Sequence, residues 1–335
     1  MKARRVILFA LFFLIAMGLG YPTLSRYSPR ETVGLWDTKS YAAMVEGRPA
    51  RVYWHQHRVL IPALARPLRA IAEGRIGKWD PTAFSLLVVN SLFVAWAALL
   101  LVSIGTRVTD DPVVALSASL LYLLSFNISN LVLAGLVDSV EAWAMLAATW
   151  ALISGRWEFL PLIGAAAAAG KETSIVLLIV FCITWYFALY RREEETRGLP
   201  AALGVMIGAQ IATVVAIQSA FMGRIVPPQD LVTGPRMLLW LDTPPLAHVF
   251  NREMLYSFGW MFPLALLRLG RLPRPWILSS ATTLIAISVI AVRFAVRGNI
   301  NRPAFNVIAP MLVLSVALLL AESLRPAKSS GKITD

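Results

Sequence analysis

The chain has 335 residues, of which 58% are hydrophobic and only 15% are charged, and its mean hydropathy is +0.67. A soluble domain is usually about 45–50% apolar and about 25% charged, so this composition excludes an ordinary soluble enzyme and a disordered protein. The single cysteine, Cys182, excludes an intramolecular disulfide. We therefore interpret the chain as an all-α integral membrane protein. Its formal charge of +12 indicates basic loops or contact with anionic lipid headgroups, and no long basic soluble segment is present to bind nucleic acid.

Apolar runs long enough to enter a membrane recur along the chain, since a membrane helix needs about 20 mainly apolar residues. The first, at 6–20, follows a basic start and has no evident small-residue cleavage site, so we predict a retained span rather than a signal peptide. The remaining runs are 84–104, 113–133, 137–153, 159–190, 200–221, 255–269, 276–296 and 304–320.

The run 159–190 is interrupted by Lys171 and Glu172, which makes it either one long helix or two short ones. With two helices, two short loops and the tail place nine Lys or Arg on the cytoplasmic side against five on the other, in keeping with the positive-inside rule. One helix inverts this distribution. We therefore predict about ten spans in one polytopic domain, residues 1–324, with both termini cytoplasmic and a cytoplasmic tail at 325–335.

This topology places residues 22–82 in a first extracytoplasmic loop and 223–254 in a second large outer loop. The first loop carries ten Lys or Arg against five Asp or Glu, a net +5. The excess fits either a loop lying on anionic headgroups or a site for a phosphate-bearing substrate, and the charge alone does not decide between them. Apolar spacing predicts two helices in the membrane interface, at 36–45 and 59–72, the second with Leu60, Ala63, Leu64, Leu68 and Ile71 on one stripe.

Three short strings resemble features of the GT-C glycosyltransferases, polytopic membrane enzymes that take a sugar from a polyprenyl-phosphate carrier outside the cytoplasm. The first comprises Asp37, Tyr41, Gly47 and the run 57–62 (HRVLIP). The others are 170–173 (GKET), and Arg302-Pro303 followed by Ala309-Pro310. The resemblance covers most of the chain as architecture and implies a small bacterial inner-membrane enzyme, similar to mannosyltransferases. It implies inverting transfer of a hexose such as mannose to an extracytoplasmic glycan or lipid acceptor.

The acidic residues are candidates for the chemistry. Glycosyl transfer needs a base for the acceptor hydroxyl, and the resemblance assigns this role to Asp37, which Trp36 would help to desolvate. Asp138 and Glu141 lie one helical turn apart and would assist it or hold a divalent cation. The alternatives are a helix cap or an ion pair to Lys39 or Arg58 for Asp37, and helix-dipole stabilisation for the other two.

Cations and their neighbours are candidates for holding the donor phosphate. We predict this role for Arg58, His57, Tyr41, Lys171, Glu172, Arg252 and Arg302. For Lys171 the competing interpretation is a structural ion pair with Asp138 or Glu141, because both charges of 171–172 are costly in lipid. His55 and His57 make a weak zinc signal, since no third ligand lies nearby.

A non-catalytic function remains the second hypothesis, either a lipid or solute transporter or a membrane assembly partner. Such a protein would use the same cations for headgroups. The two hypotheses differ in one structural expectation: an active site requires Asp37, Asp138 and Lys171 to converge on one outward cavity. The sequence contains no Walker loop, HExxH or CxxC motif, which favours a lipid-linked donor over a nucleotide.

Overall fold

The computed structural model describes residues 2–26, 36–189, 197–227, 252–293 and 300–324. This part of the chain is 84% helical and has no strand, which confirms the all-α class. Five of its helical segments are long and apolar enough to cross a membrane: Ala3–Pro22, Pro81–Thr109, Pro112–Ala134, Leu199–Met222 and Asn301–Leu324. The described segments at Trp157–Gly170, Thr173–Leu189 and Arg274–Ile290 are apolar but shorter. The predicted count of about ten spans is not confirmed.

The described residues form fourteen α-helices. In chain order they are α1 (Lys2–Arg26), α2 (Trp36–Val45), α3 (Leu60–Ala72), α4 (Pro81–Thr109), α5 (Pro112–Leu123), α6 (Phe126–Asn130), α7 (Asp138–Ser154), α8 (Leu160–Gly170), α9 (Thr173–Leu189), α10 (Leu199–Met222), α11 (Arg252–Ser257), α12 (Phe262–Leu266), α13 (Arg274–Arg293) and α14 (Asn301–Leu324). Short 3₁₀ turns at Tyr53–His57, Val132–Ala134, Trp157–Phe159, Gly259–Met261 and Leu269–Arg271 connect some of them.

Helix α7 is the centre of the bundle. Almost every residue in it is buried, and it contacts α4, α8, α9 and α14. Its small residues Ala144, Ala148 and Ala151 let neighbouring helices approach closely, which is how helices associate in an apolar solvent. As a consequence, the acidic residues at the start of α7 face other helices.

The stretch 159–190 forms two helices, as the two-helix alternative expects. Helix α8 ends at Gly170, Lys171 takes an extended backbone conformation, and α9 begins at Thr173. A Cβ on Gly170 would lie 2.5 Å from Val140 Cγ1, so only glycine lets α8 approach the first turn of α7 this closely. The break therefore places Lys171 beside Asp138.

Two predicted runs are not single helices. The run 113–133 divides into α5, α6 and a 3₁₀ turn. The run 255–269 lies within a series of short helices from Arg252 to Arg271, interrupted at Gly259, with α12 restarting around Pro263. In the second of these runs, glycine and proline limit helix continuity even though hydropathy is high.

The two helices predicted at 36–45 and 59–72 are confirmed as helices, α2 and α3. The buried face of α3 carries Ile61 and Ala65 against α4, whereas Leu64 and Ile71 of the predicted stripe are exposed. At about 100° per residue the exposed apolar stripe lies about 90° from the buried face, and Arg66 projects away from it. This arrangement suits a helix lying in the interface plane.

Several predicted features lie outside the described residues. They are the tail at 325–335, residues 228–251 of the second outer loop, the loop residues 191–196 and Arg297.

Candidate functional site

Polar side chains from five separate segments converge at one end of the bundle. The segments are α2, the 53–58 turn, the start of α7, the 171–174 break and the start of α14. Arg302 bridges Asp37 and Asp138, and Lys171 pairs with Asp138, so these three predicted residues lie together. We call this group the polar cluster: Asp37, Tyr41, His55, Arg58, Asp138, Glu141, Lys171, Glu172, Arg302 and Asn306.

The deepest part of the polar cluster is an ion-pair network around Lys171. Its Nζ lies 2.6 Å from Asp138 Oδ1 and 3.5 Å from Glu141 Oε1, and all three side chains are buried. This geometry is the structural ion pair considered as the alternative to phosphate binding by Lys171. Removing either partner would leave a buried charge without compensation.

Glu141 is fully buried, at 0% exposure, and its carboxylate oxygens also accept hydrogen bonds from neighbouring polar side chains. Asn306 Nδ2 donates to Oε1 at 2.8 Å, and the hydroxyls of Thr173 and Ser174 donate to Oε2 at 2.5 and 3.4 Å. These three residues were missed by the sequence reasoning. Only Thr173 belongs to a string singled out there, and the others stand in otherwise apolar helices. We interpret Glu141 as a positioning residue rather than a group available to a substrate.

Asp37 is the partly exposed carboxylate of the network. Its side chain is 28% exposed, and Arg302 Nη2 lies 3.4 Å from Oδ2. The same guanidinium reaches Asp138 Oδ2 at 3.3 Å, so Arg302 bridges the surface and buried acids. His55 Nε2 lies 3.9 Å from Asp37 Oδ1. The alternative pairing of Asp37 with Arg58 is wrong, because Arg58 has another partner.

The position of Asp37 is fixed by the packing of α2. Thr38 Oγ1 donates to the Ala134 carbonyl at 3.0 Å. The next residue, Gly135, has φ +87°, and a Cβ there would lie 2.8 Å from Thr38 Cγ2. Position 135 therefore requires glycine for two reasons: the positive φ, and the lack of space for a Cβ beside Thr38.

Arg58 forms a second, connected unit with Glu172 and Tyr41. Its guanidinium makes a bidentate pair with the Glu172 carboxylate, in which Nε lies 2.8 Å from Oε2. Nη1 donates to the Tyr41 hydroxyl at 2.7 Å. The Glu172 side chain is 41% exposed, whereas Arg58 is largely covered. In this arrangement the predicted phosphate ligands Arg58, Tyr41 and Glu172 bind one another.

Burial controls the protonation of the loop groups. It raises the pKa of Tyr41, and together with the charge of Arg58 it lowers the pKa of His55 against the opposing attraction of Asp37. His55 is therefore neutral at pH 7, and at 3.9 Å its Nε2 lies near Asp37 Oδ1 but beyond hydrogen-bond distance. Burial would lower the pKa of Arg58, but the hydrogen bonds and charge of Glu172 outweigh it and raise that pKa.

The polar cluster carries a small net negative charge. Asp37, Asp138, Glu141 and Glu172 contribute −4, and Arg58, Lys171 and Arg302 contribute +3, which leaves −1 with His55 neutral. Each of these cations already contacts a carboxylate. An anionic substrate must therefore compete with a carboxylate that is already bound. Of the two cations that each bridge two acids, Lys171 and Arg302, the second is better placed to bind a substrate, because its side chain is 29% exposed.

One predicted site residue, Arg252, is not brought into the network, and another, His57, lies beside it, where the charges of Glu172 and Arg58 act on its ring. Arg252 is exposed at the start of α11 and makes no hydrogen bond or ion pair to the polar cluster, whose residues all lie in the described part of the chain. His57 ends the 3₁₀ turn, and its ring contacts Phe221 of α10 at a centroid distance of 5.9 Å. Burial lowers the pKa of His57, so it too is neutral at pH 7.

Neither candidate metal site is assembled in the part of the chain that the structure describes. No group of three or more His, Cys, Asp or Glu is arranged there to hold an ion. Asp138 and Glu141 point their oxygens at Lys171 and at the α14 and α9 side chains instead. We assign no metal ligands.

Some of the basic residues of the segment 22–82 line a separate pocket. A pocket of about 450 Å³ is lined by Lys39, Ala42, Ala43, Glu46, Arg48, Arg51 and Arg69. Glu46 pairs with Arg48 and accepts a hydrogen bond from Thr82, so the acid is already used. The pocket lies on the side of α2 away from Tyr41.

A scan against protein-family models finds no match for this chain, and no curated protein matches it in sequence. The resemblance to GT-C glycosyltransferases accordingly stays an expectation from the sequence, carried by three short strings and the overall architecture. Residues from all three of them, Asp37, Arg58, Lys171 and Arg302 among them, lie in the polar cluster.

Proposed function

We propose that the protein is a membrane glycosyltransferase that moves a sugar from a polyprenyl-phosphate carrier to a glycan or lipid acceptor. The observation that carries the proposal is the convergence of Asp37, Asp138, Lys171 and Arg302 from distant parts of the sequence. Charged residues in a membrane domain are costly, and those facing a bundle interior are commonly functional.

Asp37 serves as the general base. It is partly exposed, whereas Asp138 and Glu141 are buried and already paired. Arg302 holds its carboxylate in place by hydrogen bonds, and the neutral ring of His55 lies 3.9 Å away on the other oxygen. A positioned carboxylate within hydrogen-bond reach of a hydroxyl contributes about 10²–10⁴-fold to such a reaction.

The transfer is a single inverting displacement. The acceptor hydroxyl oxygen attacks the anomeric carbon and passes its proton to the Asp37 carboxylate. The bond between the anomeric carbon and the phosphate oxygen breaks, and the electron pair leaves with the polyprenyl phosphate. Arg302 stabilises the charge that develops on that phosphate, since its fork suits phosphate oxygens.

In this proposal Lys171, Asp138 and Glu141 form the support beneath the reacting groups. Lys171 neutralises the two buried acids, and Asp138 in turn holds Arg302. Buried polar networks that are fully satisfied keep their members rigid. The support is therefore expected to fix the position of Arg302 relative to Asp37.

The finer topology belongs to the same proposal. About ten spans, with both termini cytoplasmic, place the polar cluster on the extracytoplasmic face of a bacterial inner membrane. The separation of α8 from α9 supports this count. Helix α8 is only about 16 Å long at 1.5 Å per residue, but it is covered by α7 and α10, and short helices are tolerated where protein surrounds them.

The test is sugar transfer by an Asp37→Asn variant. Membranes containing the protein are supplied with radiolabelled mannosyl polyprenyl phosphate, and label in extracted glycans and glycolipids is measured. We expect transfer to fall at least about 100-fold while thermal stability in detergent is kept, because Asp37 is partly exposed. The matched control is Glu158→Gln, which changes an exposed acid paired with Arg156. Wild-type transfer by Asp37→Asn would contradict the proposal.

A non-catalytic transporter is the second candidate, and the saturation of the polar cluster favours it. Each cation in the cluster is already bound to a carboxylate, as in a network that only stabilises the fold. Reconstituted vesicles distinguish the two functions. Movement of labelled sugar-lipid across the bilayer without any covalent product would support transport and overturn the assignment as an enzyme.

A further inference from the structure

A large groove runs along the bundle and ends at the side opposite to the polar cluster. It has a volume of about 1180 Å³ and lies between α1, α4, α7 and α8, with Leu60 of α3 at its far end. Along α4 it extends from Phe93 to Arg107, a length of about 21 Å at 1.5 Å per residue. Ligand pockets are usually about 300–1,000 Å³, so the groove exceeds the needs of a small metabolite.

The walls of the groove are apolar and aromatic. Trp96, Trp143 and Trp150 line it together with five leucines, Ile163 and two alanines. Trp96 is 48% exposed, although it is one of the largest apolar side chains in the chain. Rigid aromatic walls of this length are suited to extended hydrocarbon chains rather than to a compact polar ligand.

The mouth of the groove is basic. Arg4, Arg5 and Arg107 line it, with Asp110 as the acid beside them. All four side chains are exposed in the described chain. Arg107 donates one hydrogen bond to Ser154 Oγ at 2.6 Å, and a guanidinium has five N–H donors. The mouth therefore offers an excess positive charge with donors available to a ligand.

The mouth is remote from the proposed catalytic groups. Ser154, which Arg107 contacts, is the last residue of α7, and Asp138 of the polar cluster is the first. The two ends are about 24 Å apart along the helix. A ligand whose headgroup lies at Arg107 is therefore not a donor whose phosphate lies at Arg302.

We propose that this groove holds an anionic phospholipid, with its phosphate at Arg4, Arg5 and Arg107 and its acyl chains between α4 and α8. Basic pockets between membrane helices bind anionic headgroups, and the tryptophan-lined groove supplies the apolar surface for the chains. A zwitterionic phospholipid would fill the groove equally well but would gain little from three arginines. The positive charge at the mouth is thus what selects an anionic phospholipid over a zwitterionic one. The site is independent of the proposed transferase function.

The experiment measures which lipid stays bound. The full-length protein is reconstituted into nanodiscs containing equal amounts of phosphatidylglycerol and phosphatidylcholine, extracted again into detergent, and the retained lipids are counted by mass spectrometry. We expect enrichment of phosphatidylglycerol in the wild type. The enrichment should fall about fivefold for each arginine replaced, so that Arg4→Gln/Arg5→Gln/Arg107→Gln retains the two lipids equally.

Two further variants separate charge from fit. Arg156→Gln is the control for charge, because Arg156 is an exposed arginine close to Ser154 that does not line the groove. It should keep the enrichment. Ala166→Trp narrows the groove and should reduce retention of both lipids. Equal retention of the two lipids by the wild type, or unchanged enrichment in the triple arginine variant, would overturn the proposal. These two outcomes are measured on the wild type and on variants of exposed arginines, so they hold even if Ala166→Trp does not fold.

Discussion

Replacement of Lys171 by methionine is the strongest perturbation of the polar cluster that leaves its shape nearly intact. The methionine fills a similar volume but removes the charge that lies 2.6 Å from Asp138 and 3.5 Å from Glu141. The net charge of the cluster then changes from −1 to −2, with Asp138 and Glu141 both buried. Neither acid has solvent to replace the lost partner.

The expected loss in the free energy of unfolding depends on which partners Asp138 and Glu141 retain after the substitution. Breaking a buried ion pair by removing one partner costs about 3–5 kcal/mol. Asp138 retains Arg302 at 3.3 Å, and Glu141 retains its hydrogen bond from Asn306. We therefore expect a loss near the lower end, about 3 kcal/mol in the free energy of unfolding. Adding Asp138→Asn to Lys171→Met should recover part of this loss, because the uncompensated charge is removed.

The assay is equilibrium unfolding in mixed micelles, followed by tryptophan fluorescence, for the wild type, both single variants and the double variant. A coupling energy of at least about 1 kcal/mol between the two changes is expected for groups in direct contact. Arg156→Gln serves as the control, since its exposed pair with Glu158 should contribute less than about 1 kcal/mol. Additive single effects, or a loss for Lys171→Met no larger than for Arg156→Gln, would refute the buried network.

Three other predictions concern the groups around this network. Gly170→Ala should destabilise the protein by about 1–3 kcal/mol in thermal unfolding, because the added Cβ meets Val140 at 2.5 Å and overpacks the α7–α8 contact. His55, whose pKa is lowered by burial, stays neutral in the folded state while the unfolded histidine gains a proton below about pH 6.5. Stability should therefore fall as the pH drops from about 6.5 toward the folded pKa, and His55→Gln should reduce that slope in unfolding titrations, with the remainder due to His57. Arg302→Lys should keep most of the stability but lose most of the sugar transfer, because one ammonium cannot bridge Asp37 and Asp138 as a planar fork does.

Local helix formation in the first outer loop was predictable from sequence, because apolar spacing depends only on neighbouring residues. Helices α2 and α3 begin and end within about one residue of the predicted bounds. The face that α3 buries was not predictable, since Leu64 and Ile71 satisfy the pattern yet lie exposed beside the packed face. A stripe of apolar residues does not reveal whether lipid or protein covers it.

Helix continuity was harder to predict from hydropathy. Within 113–133, Ser125 donates to the Tyr122 carbonyl and Asn130 to the Phe126 carbonyl. Such side-chain hydrogen bonds give the backbone alternatives to a continuous helix. The sequence contains these residues, but their apolar surroundings favour a single span in any window average. The interruption matters for the site, because it produces the turn at Ala134 on which Thr38 rests.

The pairing of charges could not be predicted by spacing, and it changes the interpretation of the site. Asp37 pairs with Arg302 across 265 residues, and Arg58 pairs with Glu172 across 114. Asp37 was identified as a candidate from the resemblance, and Asp138, Glu141 and Lys171 from the cost of charges in a membrane. A role requires a partner, however, and partners are set by tertiary packing. Once these pairs are known, the candidates separate by exposure. Asp138, Glu141 and Lys171 are mutually neutralised in the interior, whereas Asp37 and Arg302 remain accessible to a substrate. The proposed base and its phosphate-binding partner are thus the two groups whose replacement should affect turnover more than folding.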